Sequence, residues 1–157
     1  MRVTEIMRTN VICCVPATTA RKVAGMMRQF NTGVVLVVDR LDNRKLLGIV
    51  TDRDLCIRVL AEGRNPDALL VEEFMTRKPE CCTPEDGIPK LLALMADHHV
   101  RRVPVVTADH TVEGIITDRD LLENADIDPH ELCVAMGRIT ASKIKTREAD
   151  SATTAYP

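Results

Sequence analysis

Two stretches of the chain carry apolar residues with a helical period, and each is followed by a run of β-branched residues. The apolar positions in both stretches are spaced i, i+3, i+4 and i+7, which buries one face of a helix. They are Ala20, Val23, Ala24 and Met27 in the first stretch, and Ile88, Leu91, Leu92 and Met95 in the second. Thr18 and Asp86 are good N-cap residues, so we predict that the two helices begin there.

The β-branched runs predict strands, because Val and Ile favour the extended backbone of a sheet. The predicted strands are residues 11–15, 34–38, 46–50, 103–106 and 112–116. A further helix is predicted to open directly after the third and the fifth of these strands, at Thr51 and Thr117. The pattern therefore indicates an α/β fold in which one order of elements occurs twice.

The two halves of the chain are copies of one sequence. With an offset of 68 positions, the pair Cys13–Cys14 falls on Cys81 and Cys82. After a loop that is two residues shorter in the second copy, the offset is 66, and residues 51–55 fall on residues 117–121 with the same letters, Thr-Asp-Arg-Asp-Leu. Such agreement indicates a duplication. One copy alone would expose too much apolar surface, so we expect the copies to pack sheet against sheet with pseudo-two-fold symmetry.

The copies divide the chain into five parts. We predict a first repeat at residues 1–62, a linker at 63–70, a second repeat at 71–124, a helical extension at 125–145 and a disordered tail at 146–157. The extension opens with Asp128, Pro129 and Glu131 at the N-cap, N1 and N3 positions, which favours a helix start. The tail is rich in small and polar residues, which is typical of frayed termini.

Composition and charge restrict the classes of function. Hydrophobic residues make up 45% and charged residues 28% of the 157 residues, as in a globular protein. A net charge of −2, the lack of basic runs and an aromatic content of 2% argue against nucleic acid as a partner. The first residues lack the apolar region that a signal peptide needs, so we expect none, and no apolar run approaches about 18 residues. We therefore expect a cytoplasmic protein without membrane contact, whose six cysteines stay reduced.

Each predicted second helix opens with a Thr-x-x-Asp motif, and two interpretations of this motif are open. In a capping box, Thr51 accepts from the backbone amide of Asp54, and the Asp54 carboxylate accepts from the amide of Thr51. In a ligand site, the first amides of the helix bind phosphate, and the carboxylate accepts from both hydroxyls of a ribose diol. Arg53 adds positive charge beside this turn, as Arg119 does beside the equivalent turn at residues 117–120.

The repeat resembles the cystathionine β-synthase (CBS) domain, and the tandem arrangement resembles a CBS pair, or Bateman module. The resemblance covers residues 3–123 and rests on three kinds of marker. They are the Ile6-Met7 and Phe74-Met75 starts, the Val-Arg-Arg-Val-Pro-Val-Val segment at residues 100–106, and the Gly-Ile-[Val/Ile]-Thr-Asp-Arg-Asp turns at residues 48–54 and 114–120. It implies two β-α-β-β-α repeats.

The resemblance also implies a function and a site. In this family a cleft between the repeats binds adenosyl ligands such as AMP, ADP, ATP, NAD or S-adenosylmethionine. By resemblance, Asp54 and Asp120 hold the ribose diol. Thr51 and Thr117 contact ribose or phosphate, and Arg102 meets phosphate.

The family places the adenine base among strand residues of both copies. The matching residues here are Val11, Ile12, Val34, Val35, Pro79, Glu80, Arg102 and Val103. Val34 stands in the first copy at the position that Arg102 occupies in the second. The resemblance therefore does not require the two sites to be equivalent.

We expect a stand-alone regulatory sensor and not an enzyme. An adenine nucleotide (AMP, ATP or NAD) is the expected regulatory ligand, and its binding changes the surface offered to an effector protein in trans. The family implies a flat homodimer. No metal is expected, because His98, His99 and His110 have no counterparts in the first copy.

Two other functions are open from the residues. The module could be a ligand-free scaffold for protein association, or it could sense oxidants through Cys13, Cys14, Cys81 and Cys82. Adjacent strand residues point to opposite faces, so neither cysteine pair can easily chelate one metal. Buried free cysteines commonly act as small apolar residues, which favours a packing role for these four.

Overall fold

The predicted α/β order of elements occurs in both halves of the chain. A computed structural model describes residues 1–124 and 126–150, with side chains as far as residue 141. The first half contains β1 (Cys13–Cys14), α1 (Ala20–Gln29), β2 (Val34–Val38), β3 (Leu46–Thr51) and α2 (Asp52–Asp54), which continues as a π-helical turn (Leu55–Leu60). The second contains β4 (Thr76–Arg77), α3 (Ile88–His98), β5 (Arg102–Val106), β6 (Val112–Thr117) and α4 (Asp118–Leu122), followed by α5 (Pro129–Asp150).

The first helix of each half begins one residue later than predicted. α1 is capped by Thr19, whose Oγ1 accepts from Lys22 N at 3.4 Å, and not by Thr18. α3 follows Gly87, and Asp86 instead accepts from Thr83 N at 2.9 Å in the preceding turn. The starts predicted near Thr18 and Asp86 are thus each displaced by one residue, because a sequence pattern does not define a helix boundary more closely.

The predicted strand at residues 11–15 is shorter in the structure. Only Cys13–Cys14 pairs as a strand, in parallel with β2. Its equivalent in the second half is a single parallel bridge between Cys82 and Val105. Just before β1, Ile12 still contacts β2, because Leu36 N donates to its carbonyl oxygen at 3.0 Å. After β1 the chain reaches Pro16, which has no amide hydrogen to donate to a sheet.

The first residues of each half pair with the sheet of the other half. β4, from the start of the second half, pairs antiparallel with β3 beside Gly48. Arg8, from the start of the first half, pairs in the same way with Ile115 of β6. A Cβ at Gly48 or at Gly114 would lie 2.8 Å from the carbonyl oxygen of Thr76 or Arg8. Glycine is therefore needed at both crossings.

The two sheets enclose a shared apolar core. Its buried residues come from both halves: Leu36, Val38, Ile49, Val106, Val112 and Ile115. Two further apolar clusters contain the buried faces of α1 and α3. The prediction of two repeats packed sheet against sheet with pseudo-two-fold symmetry is confirmed.

α5 makes the two halves unequal. It packs on α3, and the contact buries Leu132, Ala135 and Ile139 together with Leu92 and Ala96. The α1 counterparts of Leu92 and Ala96 are Ala24 and Arg28, which are both exposed. The helix continues to Asp150, past the end predicted at residue 145. Residues 151–157 of the predicted tail lie outside the described residues.

Candidate functional site

Two clefts lie between the halves, and each joins the Thr-x-x-Asp turn of one half to strand residues of the other. The first cleft has a volume of about 710 Å³ and holds the turn that begins at Thr51. The second has a volume of about 500 Å³ and holds Thr117. Both volumes fall within the range of about 300–1,000 Å³ that is usual for small-ligand sites.

Both Thr-x-x-Asp turns form the capping box. Oδ2 of Asp54 accepts from the backbone N and from Oγ1 of Thr51, each at 2.8 Å, and Thr51 Oγ1 accepts from Asp54 N at 3.3 Å. The matching distances between Asp120 and Thr117 are 2.8, 2.6 and 3.3 Å. Since each cap uses a single carboxylate oxygen, Oδ1 of each aspartate is left for another partner.

The first backbone amides of α2 already have partners within the chain. Asp52 N donates to the carbonyl oxygen of Gly33 at 3.1 Å, and Arg53 N donates to Oδ1 of Asp52 at 2.9 Å. Because Asp54 N is held by the cap, the expectation that these amides bind phosphate is wrong. Nearby side-chain and carbonyl oxygens satisfy them instead. These three amides are therefore not free to bind a phosphate in this cleft.

Basic side chains are concentrated in the first cleft. Four of them line it: Arg53, Lys78, Arg101 and Arg102. The Arg102 side chain is 34% exposed, and its Nη2 lies 4.0 Å from Oδ1 of Asp52 in the other half. A Cβ at Gly33 would lie 2.7 Å from Asp52 Oδ2, so glycine makes room for this pair. The acidic lining residues, Asp52, Asp54 and Glu80, are fewer, which suits an anionic ligand.

The structure brings most of the predicted site residues to one of the clefts. Thr51, Arg53, Asp54, Pro79, Glu80 and Arg102 line the first cleft, whereas Val11, Ile12, Val34 and Thr117 line the second. Val35 and Val103 are fully buried and line neither cleft. Their predicted contact with adenine is wrong, because successive strand residues point to opposite faces of a sheet.

Arg119 and Asp120 also differ from the prediction. Arg119 is exposed beside neither cleft, and its Nε lies 2.6 Å from Oε1 of Glu123 one helical turn later. The Asp120 side chain is only 6% exposed and forms an ion pair with Arg8. The turn of the second half is therefore not equivalent to that of the first.

Sequence reasoning missed eight residues that line the first cleft, and four of these have side chains that can carry a positive charge. These four are Lys78, His98, His99 and Arg101. Lys78 and His99 have left-handed backbone conformations, with φ of 47° and 55°. His98 Nδ1 lies 3.2 Å from Oε1 of Glu80. For Arg101 a signal was available, because it lies beside Arg102 in the Val-Arg-Arg-Val-Pro-Val-Val segment that carries the family resemblance.

The vicinal cysteines are poorly suited to redox sensing. Cys14 and Cys82 are buried, and Cys13 and Cys81 are half-buried. Burial raises the pKa of Cys14 and of Cys81 to about 11 and that of Cys82 to about 12. Burial also raises the pKa of Cys13. Since the thiolate is the reactive form, raised pKa values make these thiols slow to react.

We expect iodoacetamide at pH 8 to modify Cys56 and Cys133, which are exposed, at least about 100-fold faster than Cys14, Cys81 or Cys82. A thiol with a pKa near 11 is almost entirely protonated at pH 8, and its reactivity should rise only as the pH approaches 11. Peptide mass spectrometry at successive times gives the rates. The chain unfolded in urea is the control, in which all six cysteines should react at similar rates. Fast modification of folded Cys81 would restore the redox-sensor hypothesis.

The described part of the chain offers neither a metal centre nor a membrane-spanning helix. Among the described residues, no group of three or more His, Cys, Asp or Glu side chains is placed to hold a metal ion. Within the same part of the chain, no helix combines the length and apolarity that crossing a bilayer requires.

A comparison with known protein families and sequences matches each of the two repeats separately. The family profile described as "CBS domain" matches residues 3–61 and again residues 71–126. The uncharacterized protein MK0525 of Methanopyrus kandleri is 35% identical over 120 residues, which cover 76% of this chain and 60% of that protein. Hypoxic response protein 1 of Mycobacterium tuberculosis is 32% identical over 117 residues, covering 74% of this chain and 80% of that protein. The match thus spans 60% of the first relative, which is less than two thirds, and 80% of the second.

Solved structures share the fold. Hypoxic Response Protein I, crystallised with two coordinated zinc ions, has a TM-score of 0.70 at 30% identity, covering 79% of this chain and 98% of that one. The CBS domain protein PAE2072 from Pyrobaculum aerophilum, complexed with AMP, has a TM-score of 0.75 at 21% identity over 85% of this chain and 99% of that one. The CBS domain pair of MJ0100, in complex with 5-methylthioadenosine and S-adenosyl-L-methionine, has a TM-score of 0.69 at 24% identity over 78% and 93%. With both repeats matched and the paired architecture shared, the chain belongs to the CBS domain family.

Proposed function

We propose that the chain is a regulatory CBS pair that binds a phosphorylated adenine nucleotide in the first cleft, and that it is not an enzyme. One observation carries the proposal. The cleft of about 710 Å³ brings the Asp54 carboxylate of one repeat together with the Arg102 guanidinium of the other. A carboxylate accepts from a ribose diol, and a guanidinium donates to phosphate. The cleft therefore offers a partner to the ribose and a partner to the phosphate of a nucleotide.

The free oxygen of Asp54 defines how the ribose binds. Oδ2 is held by Thr51, so the ribose hydroxyls donate to Oδ1 in the proposed complex. The Nε of Arg58 lies 3.4 Å from the same oxygen. This ion-pair contact is not a hydrogen bond, so the acceptor positions of Oδ1 remain available to the hydroxyls. The phosphates lie toward Arg102, with Arg53, Lys78 and Arg101 on the same cleft walls.

Structural neighbours support the class of ligand. PAE2072 holds AMP, and MJ0100 holds 5-methylthioadenosine and S-adenosyl-L-methionine, so adenosyl compounds bind to proteins of this architecture. The four cations of the first cleft favour AMP, ADP, ATP or NAD over the positively charged S-adenosylmethionine. We therefore propose a ligand with at least one phosphate.

The contact between Arg102 and Asp52 provides a way for the ligand to act on the protein. It joins the two repeats across the first cleft at 4.0 Å. A bound phosphate competes with the Asp52 carboxylate for the same guanidinium. A ligand changes a conformation only through different affinities for the two states. We propose that this exchange of partners alters the relative position of the repeats and the surface offered to an effector protein in trans.

An apolar face of the first half supports the proposed homodimer. Leu60 is exposed and lines a groove together with Ala20, Ala24 and Val59. The corresponding side of the second half is covered by α5. Leu60 is 77% exposed, and large exposed apolar side chains grouped in this way are typical of association surfaces. We propose that a second copy covers this face.

Replacing Arg102 with alanine should weaken ATP binding by about 10-fold or more, because a hydrogen bond to a charged group contributes about 1.5–3 kcal/mol. Adenosine has no phosphate, so its affinity should stay unchanged. Arg119→Ala is the matched control, since it removes the same charge from a residue beside neither cleft. Isothermal titration calorimetry measures both affinities. An equal loss for both variants would show only a general charge effect, and an unchanged ATP affinity in Arg102→Ala would refute the phosphate contact.

Mass spectrometry of the small molecules that the purified protein releases on denaturation tests the proposal most directly. The expected result is an adenine nucleotide, recovered chemically intact after incubation with the folded protein. Titration with AMP, ATP, NAD and S-adenosylmethionine then ranks the ligands. Binding of none of the four would favour the ligand-free scaffold, and conversion of a bound nucleotide to a product would contradict a purely regulatory role.

A further inference from the structure

The capping aspartates of the two halves have different second partners. Asp54 and Asp120 are equivalent by sequence and bind their own threonines through Oδ2 in the same way. Oδ1 of Asp54 lies 3.4 Å from Arg58 Nε in the same helical segment. Oδ1 of Asp120 instead accepts from Nε of Arg8, which comes from the other half. The oxygen assigned to a ribose diol in the first cleft is thus occupied in the second.

The Arg8 side chain is held above Asp120 by its backbone. Arg8 N donates to the carbonyl oxygen of Ile115 at 2.9 Å, and Ile115 N donates to the carbonyl oxygen of Arg8 at 3.0 Å. Its Nη2 also lies 3.8 Å from Oε2 of Glu123. The two backbone bonds position Arg8, whose side chain is 52% exposed, and the carboxylates of Asp120 and Glu123 contact its guanidinium.

The equivalent position in the second half is Thr76, which has no charge. Thr76 occupies the same place relative to β3 and lines the first cleft. Asp54 is 15% exposed there and lines that cleft, whereas Asp120 is 6% exposed and does not line the second. At this one position, arginine in the first half covers Asp120, whereas threonine in the second half leaves Asp54 more exposed.

We infer that Arg8 closes the second cleft to adenine nucleotides, so that each chain binds one nucleotide, in the first cleft. The inference rests on the proposed function, because it assumes that the ribose diol needs Oδ1 of the capping aspartate. A guanidinium already bound to that oxygen excludes the hydroxyls. Arg8 is therefore the residue that sets the stoichiometry.

Reciprocal substitutions test the inference. Isothermal titration calorimetry with AMP, and separately with ATP, gives the number of sites in the wild type, Arg8→Thr, Thr76→Arg and the double variant. We expect one site in the wild type, two in Arg8→Thr, an affinity at least 10-fold lower in Thr76→Arg, and one site again in the double variant. In Arg8→Thr, the additional Asp54→Asn change should leave one site, since the second cleft does not use Asp54.

The outcomes separate this inference from the proposed function. Two sites in the wild type, or one site in Arg8→Thr, would overturn the closing role of Arg8 while nucleotide binding stood. No binding of AMP or ATP to any of the proteins would overturn both. Arg8→Gln, which keeps the length of the side chain without its charge, provides a second variant should the threonine variant fail to fold. Thermal denaturation identifies which variants are folded, and the same counts of sites apply to the glutamine variant.

Discussion

Replacing Leu36 with alanine is expected to lower the free energy of unfolding by about 2–5 kcal/mol. Leu36 has no exposed surface and lies in the shared core, where it packs with Ile49 of its own half and with Val106 and Ile115 of the other. The truncated side chain loses its burial and leaves a cavity between two sheets that cannot close independently. Urea denaturation followed by circular dichroism should show a lower midpoint with an unchanged m-value.

Leu41→Ala is the matched control for this substitution. Leu41 belongs to the same half but is 62% exposed, so its truncation should change the free energy of unfolding by less than about 0.5 kcal/mol. Similar losses for both variants would mean that the sheets do not share a packed core. A large loss at Leu36 alone supports the interlocked arrangement of the two repeats.

The fold was predictable because the duplication supplies two versions of each weak local signal. The apolar run at residues 34–38 is typical of a strand by itself, and its match to the β-branched run at residues 103–106 strengthens the same interpretation for both. The exchange of first residues between the halves was not predictable. Arg8 pairs with Ile115 through backbone groups that every residue type carries, so the pairing leaves no pattern in side chains. Gly48 and Gly114 were the available sign of a close crossing.

The two Thr-x-x-Asp turns of the candidate site could be predicted from the sequence, but the residues that each turn faces could not. Thr51 and Asp54 stand out by motif, but the sequence does not say that they face strand residues of the other half. The amides at the start of α2 could not be excluded as phosphate donors, because their acceptor at Gly33 is remote in sequence. The occupation of Asp120 by Arg8 depends on a single side chain that crosses between halves.

Asp54→Asn is expected to weaken the binding of AMP and of ATP by roughly 10- to 100-fold, because hydrogen bonds to a charged acceptor contribute about 1.5–3 kcal/mol. The asparagine keeps one amide oxygen, which can still accept from the backbone N of Thr51 and preserve the cap. It replaces the oxygen that faces the ribose with a donor, so the diol loses its acceptor. Calorimetric titration measures the affinity, and thermal denaturation should show that the cap is retained.

Asp120→Asn is the matched control, because it makes the same change at the equivalent turn of the other half. Nucleotide affinity should stay within about twofold of the wild type, since Asp120 is covered by Arg8 and does not line a cleft. Stability should fall instead, because the buried end of the ion pair with Arg8 loses its charge. Equal loss of affinity in both variants would indicate that both turns bind nucleotide. Unchanged affinity in Asp54→Asn would remove the ribose contact from the first cleft and leave Asp54 as a helix cap alone.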